Sequence, residues 1–559
     1  MNALAIPFAL GHNDDMLLIF PPVAKPCEPP AGVAKLAGAL NAHNIPCRIL
    51  DANLEGLLFL LQQPKSAQDT WTRRSLKNIS KNLAALRGAS TYQSLSRYSS
   101  AVQELQCALE LSAGDTWAIP GLADYHDNNL SPVRSADLIS AAAHPEKNPY
   151  FPYFSERLPA IIEESCYSQL RREISARASS GGKDRLQDDV YKEHAAGPHI
   201  GFSLNYLSQA LTTFAMIGYI RQEFPHMKVV LGGGLVSSWM KRPGFKHPFG
   251  GLVDHLICGP GEGPLLGLFD IHEPEPHRAT PDYSGLPLQA YLSPGFILPY
   301  SGSSGCYWKK CSFCPENAED NPYLPVPAVQ AMTELQSLVA ETRPLLVHLL
   351  DNAISPALMQ GLLHDPLGVH WYGFARISKD LLDKDYCMAL KRSGCTMLKL
   401  GLESGDQGVL DGLQKGTDLG VASEVFKNLK RAGIATYIYL LFGTPAETIA
   451  EARRTLEFVV QHADAISYLN IAIFNMPLCS ENAGKYETEQ FYEGDLSLYT
   501  GFKHPRGWDR KLVRHFLNTE FRRHPAIAAI LKSDPPLFTS NHATFFSNYS
   551  TLSDETGTA

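Results

Sequence analysis

The chain has 559 residues, of which 44% are hydrophobic and 19% charged, with a formal net charge of -8 and an isoelectric point near 6.2. This length predicts two or three domains, and the composition is that of a globular protein without general affinity for nucleic acid or anionic membranes. No segment reaches the ~18–20 consecutive apolar residues of a membrane helix, and the first residues lack the Lys or Arg of a signal peptide. We therefore expect a cytoplasmic protein with no membrane or nucleic-acid partner.

The first half of the chain alternates short apolar strands with helices. Strands are predicted at 16–20, 47–50, 200–204, 229–231 and 255–258, and helices at 32–43 and 207–223. A β-α-β order implies a parallel sheet, and the last two strands run into the glycine-rich turns 232–234 and 259–263. Ligands bind at the carboxyl ends of strands in doubly wound sheets. We therefore expect a Rossmann-like domain over residues 1–270 with a ligand site at these turns.

Residues 55–198 interrupt this order and are predicted to form a mainly helical insertion. Helical segments are predicted at 75–86, 92–111 and 158–178, and a loop at 179–182. After the first domain, residues 271–295 contain five prolines and predict a linker.

A second β/α series follows the linker. Strands are predicted at 296–300, 345–350, 370–374, 397–402, 436–442 and 466–473, and helices at 384–393, 420–432 and 446–461. This alternation indicates a partial (β/α)6 barrel over residues 296–490, in which active groups come from the carboxyl ends of the strands. A C-terminal extension, 491–559, is predicted to hold a helix at 512–522 and an aromatic-rich loop at 537–549.

Three of the 11 cysteines lie close together, Cys306, Cys311 and Cys314. A secreted disulfide scaffold would be shorter and denser in cysteine, so a metal site is the better interpretation. Thiolates are the usual ligands of iron-sulfur clusters, and three of them on a four-iron cube leave one iron open. A structural zinc site needs a fourth ligand, for which His348 and Cys387 are candidates. Three unrelated loop cysteines are the remaining alternative.

The segment 305–314, Gly-Cys-Tyr-Trp-Lys-Lys-Cys-Ser-Phe-Cys, resembles the cluster loop of radical S-adenosylmethionine (SAM) enzymes, including the aromatic Phe313 before the third cysteine. It departs from the family's usual pattern by having four rather than three residues between the first two cysteines. The resemblance implies a 4Fe-4S cluster on the three cysteines and SAM bound beside Phe313 at the ends of the following strands.

Four further motifs carry the same resemblance down the barrel. They place the SAM amino group at Asp351 and Asn352, its carboxylate at Arg376, its ribose at Glu403 and Ser404, and its adenine at Gly443 and Pro445. Taken singly, Asp351, Arg376 and Glu403 are better explained as ordinary helix caps or members of surface ion pairs. Together, each at the end of a strand and in order, they favour a SAM site.

The first domain resembles the cobalamin-binding domain found ahead of many radical SAM barrels. The resemblance lies in segments 19–22, 29–33, 231–234, 261–263 and 281–287, and it places cobalamin at Pro22, Ser203, Gly232, Gly233, Gly234, Gly261 and Glu262. No His lies between Phe20 and Leu40, so the Asp-x-His-x-x-Gly motif that supplies a lower cobalt ligand is missing. We expect cobalamin without a His ligand; a degenerate domain that binds nothing is the alternative.

The resemblance implies that a reduced cluster cleaves SAM, and that the resulting 5'-deoxyadenosyl radical takes hydrogen from an unactivated carbon that methylcobalamin then methylates. The substrate would be a small molecule or a peptide, and the electron would come from a donor such as flavodoxin or ferredoxin. One alternative is a radical SAM cyclase, rearrangement or carbon-carbon bond-forming enzyme. The other is a cobalamin or redox sensor with a structural cluster, which would not need a SAM pocket. No residue is assigned a catalytic role from the sequence.

Overall fold

The computed structural model describes residues 16–63, 65–67, 69–113, 118–163, 199–272, 279–489 and 493–547. The predicted loop at 179–182 and the end of the predicted helix 158–178 lie outside these ranges. Within them, no helix combines the length and the apolar character that crossing a bilayer requires.

Five parallel strands form the N-terminal sheet. They are β1 (Met16–Phe20), β2 (Cys47–Asp51), β3 (His199–Ser203), β4 (Lys228–Gly232) and β5 (His255–Leu256). Their order across the sheet is β2-β1-β3-β4-β5, and every neighbouring pair is parallel. The order reverses between β1 and β3, which makes the carboxyl ends of these strands the switch point of a doubly wound sheet. The predicted α/β class and parallel sheet are confirmed.

Alternation along β1 explains how helices cover both faces of this sheet. Leu17 and Ile19 pack with the insertion, whereas Met16 and Leu18 pack on the opposite face with the helix Ala31–Ala42. The other helices around the sheet are Ala52–Gln62, Leu207–Glu223, Gly234–Met240 and Glu262–Gly267.

The insertion is mainly helical, as predicted, with two differences. Its helices are Thr70–Lys77, Ile79–Leu86, Leu95–Glu110, Ser135–Ala143 and a segment at 151–163. The single helix predicted at 75–86 is wrong, because Asn78 leaves helical geometry and its side chain donates to Glu104 (3.0 Å). A hairpin of Ala118–Pro120 and Tyr125–Asp127 was not predicted.

Six parallel strands form the second sheet, as predicted. They are β6 (Ile297–Tyr300), β7 (Leu346–Leu349), β8 (His370–Ala375), β9 (Cys395–Glu403), β10 (Ala435–Phe442) and β11 (Tyr468–Ile473). They pair in chain order, so β6 and β11 are the edge strands of a partial barrel in the part of the chain that the structure describes.

Helices cover the outside of this sheet. They are Pro315–Ala318, Ala328–Thr342, Pro356–His364, Lys384–Arg392, Gln407–Gly412, Leu419–Ala432 and Ile449–Gln461. The last begins later than the predicted residue 446, because Thr448 and Glu451 form a capping box at its start. Two short strands, Ser303–Ser304 and Leu324–Pro325, pair beside the cysteine loop.

The C-terminal extension packs against the barrel and the insertion. It holds the strand Tyr499–Phe502 and the helices Arg510–Phe516, Leu517–Phe521 (a π-helix) and Pro525–Lys532. The strand pairs with two short strands that precede residue 491, Met476–Pro477 and Thr488–Glu489. The aromatic-rich segment after residue 537 forms two 3-10 turns, Thr539–Asn541 and Ala543–Phe546. Ala543 packs with apolar residues that start the barrel strands, so this segment lies against the barrel interior.

Candidate active site

The cysteine loop follows β6 directly, at the carboxyl edge of the barrel. Cys306, Cys311 and Cys314 are all half-buried. Within the four-residue gap, Lys309 adopts a left-handed backbone (φ 43°) and its Nζ contacts Asp320 Oδ1 at 2.6 Å. The additional residue is therefore accommodated by a local left-handed turn.

Residues that follow neighbouring strands hold this loop in place. The Asn352 side chain, after β7, donates to the Gly305 carbonyl (3.2 Å), and the Ser312 amide donates to the Leu413 carbonyl (3.0 Å), beyond β9. Asn352, predicted to lie at the SAM amino group, is thus attached to the start of the cysteine loop.

Trp308, also in the four-residue gap, packs between the loop and the barrel. Its ring lies 3.8 Å from the guanidinium carbon of Arg376, and its Nε1 donates to the Gln414 carbonyl (3.3 Å). Arg376 in turn donates to the Lys415 carbonyl at 2.6 Å. The side chain predicted to meet the SAM carboxylate therefore also supports the cysteine loop.

The three cysteines of the loop fit an iron-sulfur cluster better than a single metal ion. Among the described residues, no three His, Cys, Asp or Glu side chains converge as ligands of a single metal ion. Burial raises the pKa of Cys311 and raises that of Cys314 to about 11, so both thiols must lose a proton when they bind metal. A four-iron cube spreads its thiolates over separate irons, and three cysteines of one loop fit such a cluster with one iron left open.

The two candidate fourth ligands of a zinc site are engaged elsewhere. His348 contacts Glu28 through Nδ1 (2.9 Å) and Lys399 through Nε2 (3.2 Å). Cys387 is buried, with its thiol 3.4 Å from the Leu381 carbonyl. Neither contact involves the cysteine loop, so the structure offers no support for the zinc alternative.

Asp351 lies at the carboxyl end of β7 and is 2% exposed. One of its oxygens accepts from the Gly302 amide (3.0 Å) and the other from the Ser303 hydroxyl. Burial raises the pKa of this carboxyl, and the two hydrogen bonds oppose that effect. Asp351, predicted to meet the SAM amino group, thus shapes the turn between β6 and the first cysteine.

At the end of β9, Glu403 pairs with Lys415 at 2.7 Å, and both side chains are nearly buried. The Lys415 ammonium also lies 5.6 Å from the centre of the Phe313 ring, in the cysteine loop. Sequence reasoning missed Lys415, which no motif marks. Ser404 is fully buried against Thr455 (3.1 Å), so its hydroxyl is not presented to the site.

The turn after β10 is fixed by a buried carboxyl group. Gly443 takes φ 80°, and its amide donates to Glu447 Oε2 (2.5 Å), which also accepts from the Trp508 indole (2.9 Å). Burial raises the pKa of Glu447 to about 7. Pro445 is half-buried beside this turn. Sequence reasoning missed Glu447, although its place two residues after Pro445 was a usable signal.

A cavity of about 620 Å³ connects the carboxyl ends of the two sheets. Its lining includes six of the seven residues predicted for cobalamin, namely Ser203, Gly232, Gly233, Gly234, Gly261 and Glu262. It also includes four residues beside the cysteine loop, Tyr300, Ser301, Glu316 and Glu319. Pro22 is buried and is not among the lining residues that the structure describes. No described residue of the lining is a His, and Glu262 is paired with Lys35 at 2.6 Å.

No family model matches the chain, and no curated protein matches it in sequence. Among solved structures, it is similar to the radical S-adenosylmethionine methyltransferase TsrM from Kitasatospora setae, solved with cobalamin and a 4Fe-4S cluster. That alignment covers 82% of this chain and 75% of TsrM, at 14% identity and a TM-score of 0.45.

Two other solved structures align over less of the chain. OxsB, a cobalamin-dependent S-adenosylmethionine radical enzyme, aligns over 50% of this chain and 46% of its own, at 16% identity and a TM-score of 0.40. Coproporphyrinogen III oxidase (HemN) from Escherichia coli, a radical SAM enzyme, aligns over 40% of this chain and 51% of its own, at 14% identity and a TM-score of 0.29.

Proposed function

We propose that the chain is a radical SAM enzyme that methylates an unactivated carbon of a small molecule or peptide with the help of cobalamin. The observation that carries this proposal is the position of the cysteine loop. Three cysteines follow the first strand of a parallel barrel, and Asp351, Arg376, Glu403 and Gly443 stand at or just beyond the ends of the next four strands. Catalytic groups of such barrels lie at this edge.

In this proposal Cys306, Cys311 and Cys314 hold the 4Fe-4S cluster. When bound, the cluster would supply one electron for reductive cleavage of SAM, and cobalamin would supply a methyl group carried on its cobalt. The electron comes from a flavodoxin or ferredoxin. The protein's part is to position the bound groups and to exclude water from them.

The charged side chains of the barrel edge would position SAM. The Glu403–Lys415 pair places one carboxylate and one ammonium at the end of β9. The guanidinium of Arg376 lies beside this pair, because it donates a hydrogen bond to the Lys415 carbonyl. Such groups bind hydroxyl and carboxylate groups of a ligand by charge-assisted hydrogen bonds. The Gly443 turn, held by Glu447, would be the backbone segment nearest the adenine ring of SAM.

The cavity between the sheets supports the cobalamin part of the proposal. It joins the glycine-rich ends of β4 and β5 to the residues beside the cysteine loop. A bulky cofactor in this cavity would therefore face the barrel site. Its lower face would meet no His from the described lining.

Anaerobic reconstitution with iron, sulfide and hydroxocobalamin tests the proposal. We expect the reduced protein to form 5'-deoxyadenosine from SAM and to retain cobalamin through gel filtration. Cys306→Ser should abolish 5'-deoxyadenosine formation, whereas Cys107→Ser, in a helix of the insertion, should not. If the wild-type protein forms no 5'-deoxyadenosine, the proposal that it is a radical SAM enzyme is wrong. If it forms 5'-deoxyadenosine but retains no cobalamin, only the proposal of methyl transfer is wrong.

A further inference from the structure

A chain of three polar side chains crosses the barrel interior below the candidate active site. The Lys399 ammonium donates to His348 Nε2 (3.2 Å), and His348 Nδ1 donates to Glu28 (2.9 Å). The imidazole stacks on the Tyr372 ring with 4.3 Å between ring centres. Burying ionisable groups costs free energy of folding, so buried ionisable groups next to a candidate active site indicate a functional role.

This chain of side chains has an outer and an inner end. Glu28 belongs to the loop after β1, its side chain is 17% exposed, and it also accepts from the Ser540 hydroxyl (2.8 Å). The His348 side chain is 9% exposed and Lys399 is 4% exposed. Exposure therefore falls from the carboxylate, through the imidazole, to the amine.

The inner end faces the upper part of the barrel. Lys399 is paired in register with Phe374 on β8 and Tyr437 on β10, and its ammonium lies 5.1 Å from the Phe374 ring centre. Two residues further toward the carboxyl end of β9, on the same face, lies Gly401, which carries no side chain and is paired with Tyr439. Phe374, Gly401 and Tyr439 are only partly buried although they face inward. Solvent therefore reaches the barrel interior at the level of these three residues, where the Phe374 and Tyr439 rings lie 4.9 Å apart between Lys399 and the Glu403–Lys415 pair.

The titratable groups around Lys399 come from every element packed against it. They are Glu28, Lys25 and Cys27 on the loop after β1, His348 on β7, Tyr372 on β8, Tyr437 on β10, and His542 on the C-terminal segment. No described carboxylate contacts its ammonium directly. Burial lowers the pKa of Lys399 to about 8, and Glu28 counteracts part of this effect. The amine is therefore able to gain or lose a proton near neutral pH.

We propose that Lys399 is the acid–base residue of the barrel interior, that it exchanges a proton with an N–H or O–H group of the substrate, and that His348 and Glu28 connect it to solvent. The substrate proton passes to the neutral Lys399 amine. The resulting ammonium gives a proton to His348 Nε2, His348 gives its Nδ1 proton to Glu28, and Glu28 releases it to water. No electron moves in this sequence. Lys399 and Glu28 return to their starting forms, and His348 is left as its Nε2–H tautomer; the reverse transfer, from Glu28 through His348 to Lys399, restores the Nδ1–H tautomer when the amine next acts as an acid. Lys399 touches the substrate, whereas His348 and Glu28 are positioning residues.

This inference rests on the proposed function for the identity of the site, but it is measured separately. The full-length purified protein is treated briefly with formaldehyde and a borane reductant over a pH series spanning 8, and methylation of each lysine is read by peptide mass spectrometry. The exposed Lys427 serves as the internal standard for reagent reactivity. We expect the methylation of Lys399 to have its midpoint near pH 8, below the pKa of about 10.4 that lysines have in water.

The variant Glu28→Gln tests whether Glu28 is coupled to Lys399 through His348. Removing the negative charge should move the labelling midpoint of Lys399 to lower pH by about half a unit, while Glu481→Gln, an exposed carboxylate elsewhere, should leave it in place. If Lys399 stays unlabelled while Lys427 is fully labelled, the amine is not reachable and the proposal is wrong. An unchanged midpoint in Glu28→Gln rejects the connection through His348. Neither outcome affects 5'-deoxyadenosine formation by the wild-type protein, which tests the proposed function alone.

Discussion

The guanidinium carbon of Arg376, just beyond the end of β8, lies 3.8 Å from the centre of the Trp308 ring in the cysteine loop. Trp308 occupies the four-residue gap that separates this loop from the usual radical SAM pattern. A side chain on Gly416 would collide with the same ring at 2.3 Å, and Gly416 itself has φ 68°. The lengthened loop is therefore matched by a glycine on the segment that it covers.

Trp308→Ala should loosen the cysteine loop. It removes the stacking on Arg376, worth about 0.5–2 kcal/mol for a cation over an indole, together with the hydrogen bond to Gln414. We expect the reconstituted protein to retain less than half of the wild-type iron and sulfide per chain after desalting, while Trp308→Phe retains most of it.

Trp71→Ala is the control, because Trp71 is 47% exposed on a helix of the insertion. It should leave iron retention unchanged. Equal iron content in Trp308→Ala and wild type would show that the stacking does not stabilise the loop.

Lys415→Met should leave Glu403 buried without its partner. Removing one member of a nearly buried ion pair costs about 3 kcal/mol or more, because the remaining charge is uncompensated. Urea unfolding of the apo protein measures this cost. Lys427→Met, which breaks an exposed pair with Glu424, should cost less than about 1 kcal/mol.

The double variant Lys415→Met with Glu403→Gln separates the pair from other effects. It should recover part of the stability lost in Lys415→Met, since no uncompensated carboxylate then remains. Additive losses in the double variant would mean that the two side chains do not interact in solution.

Gly233→Ala should destabilise the turn after β4. Gly233 has φ 112°, and an added Cβ would meet the Leu204 carbonyl oxygen at 2.4 Å. Left-handed strain combined with a backbone clash should cost at least about 2 kcal/mol. Thermal melting of the apo protein measures this, and cobalamin retention should fall with it.

Gly234→Ala is the matched control at the next position. Its Cβ would find its nearest neighbour at 3.7 Å, in ordinary contact with Asn205. The melting temperature should change little. Similar losses in both variants would contradict the role assigned to the backbone of Gly233.

The strands were predictable because both sheets are parallel and their strands are short apolar runs between helices. The cysteine loop was found for a similar reason, since its ligands are close in sequence. Other contacts bring together residues far apart in the chain. Glu28 reaches His348 across 320 positions, and Lys415 reaches Glu403 from an unmarked loop. Periodicity carries no information about such pairs.

Glu447 gives the final prediction, which concerns pH. Its side chain is fully buried, burial raises its pKa from 4.5 to about 7, and the hydrogen bonds from Gly443 and Trp508 only partly offset this effect. In the folded state, the carboxyl therefore holds its proton to higher pH than in the unfolded chain. The stability it contributes is fully present below pH 4.5 and is lost as pH rises through about 7.

Glu447→Gln should remove this dependence, because the amide keeps the shape of the protonated acid and cannot ionise. Between pH 5 and 8, the free energy of unfolding should fall by about 2–3 kcal/mol more in wild type than in the variant. Urea unfolding at several pH values, taken as the difference between the two proteins, cancels the other titrating groups. Parallel pH profiles would mean that Glu447 is already ionised in the folded protein, and that the Gly443 turn is held by a carboxylate rather than an acid.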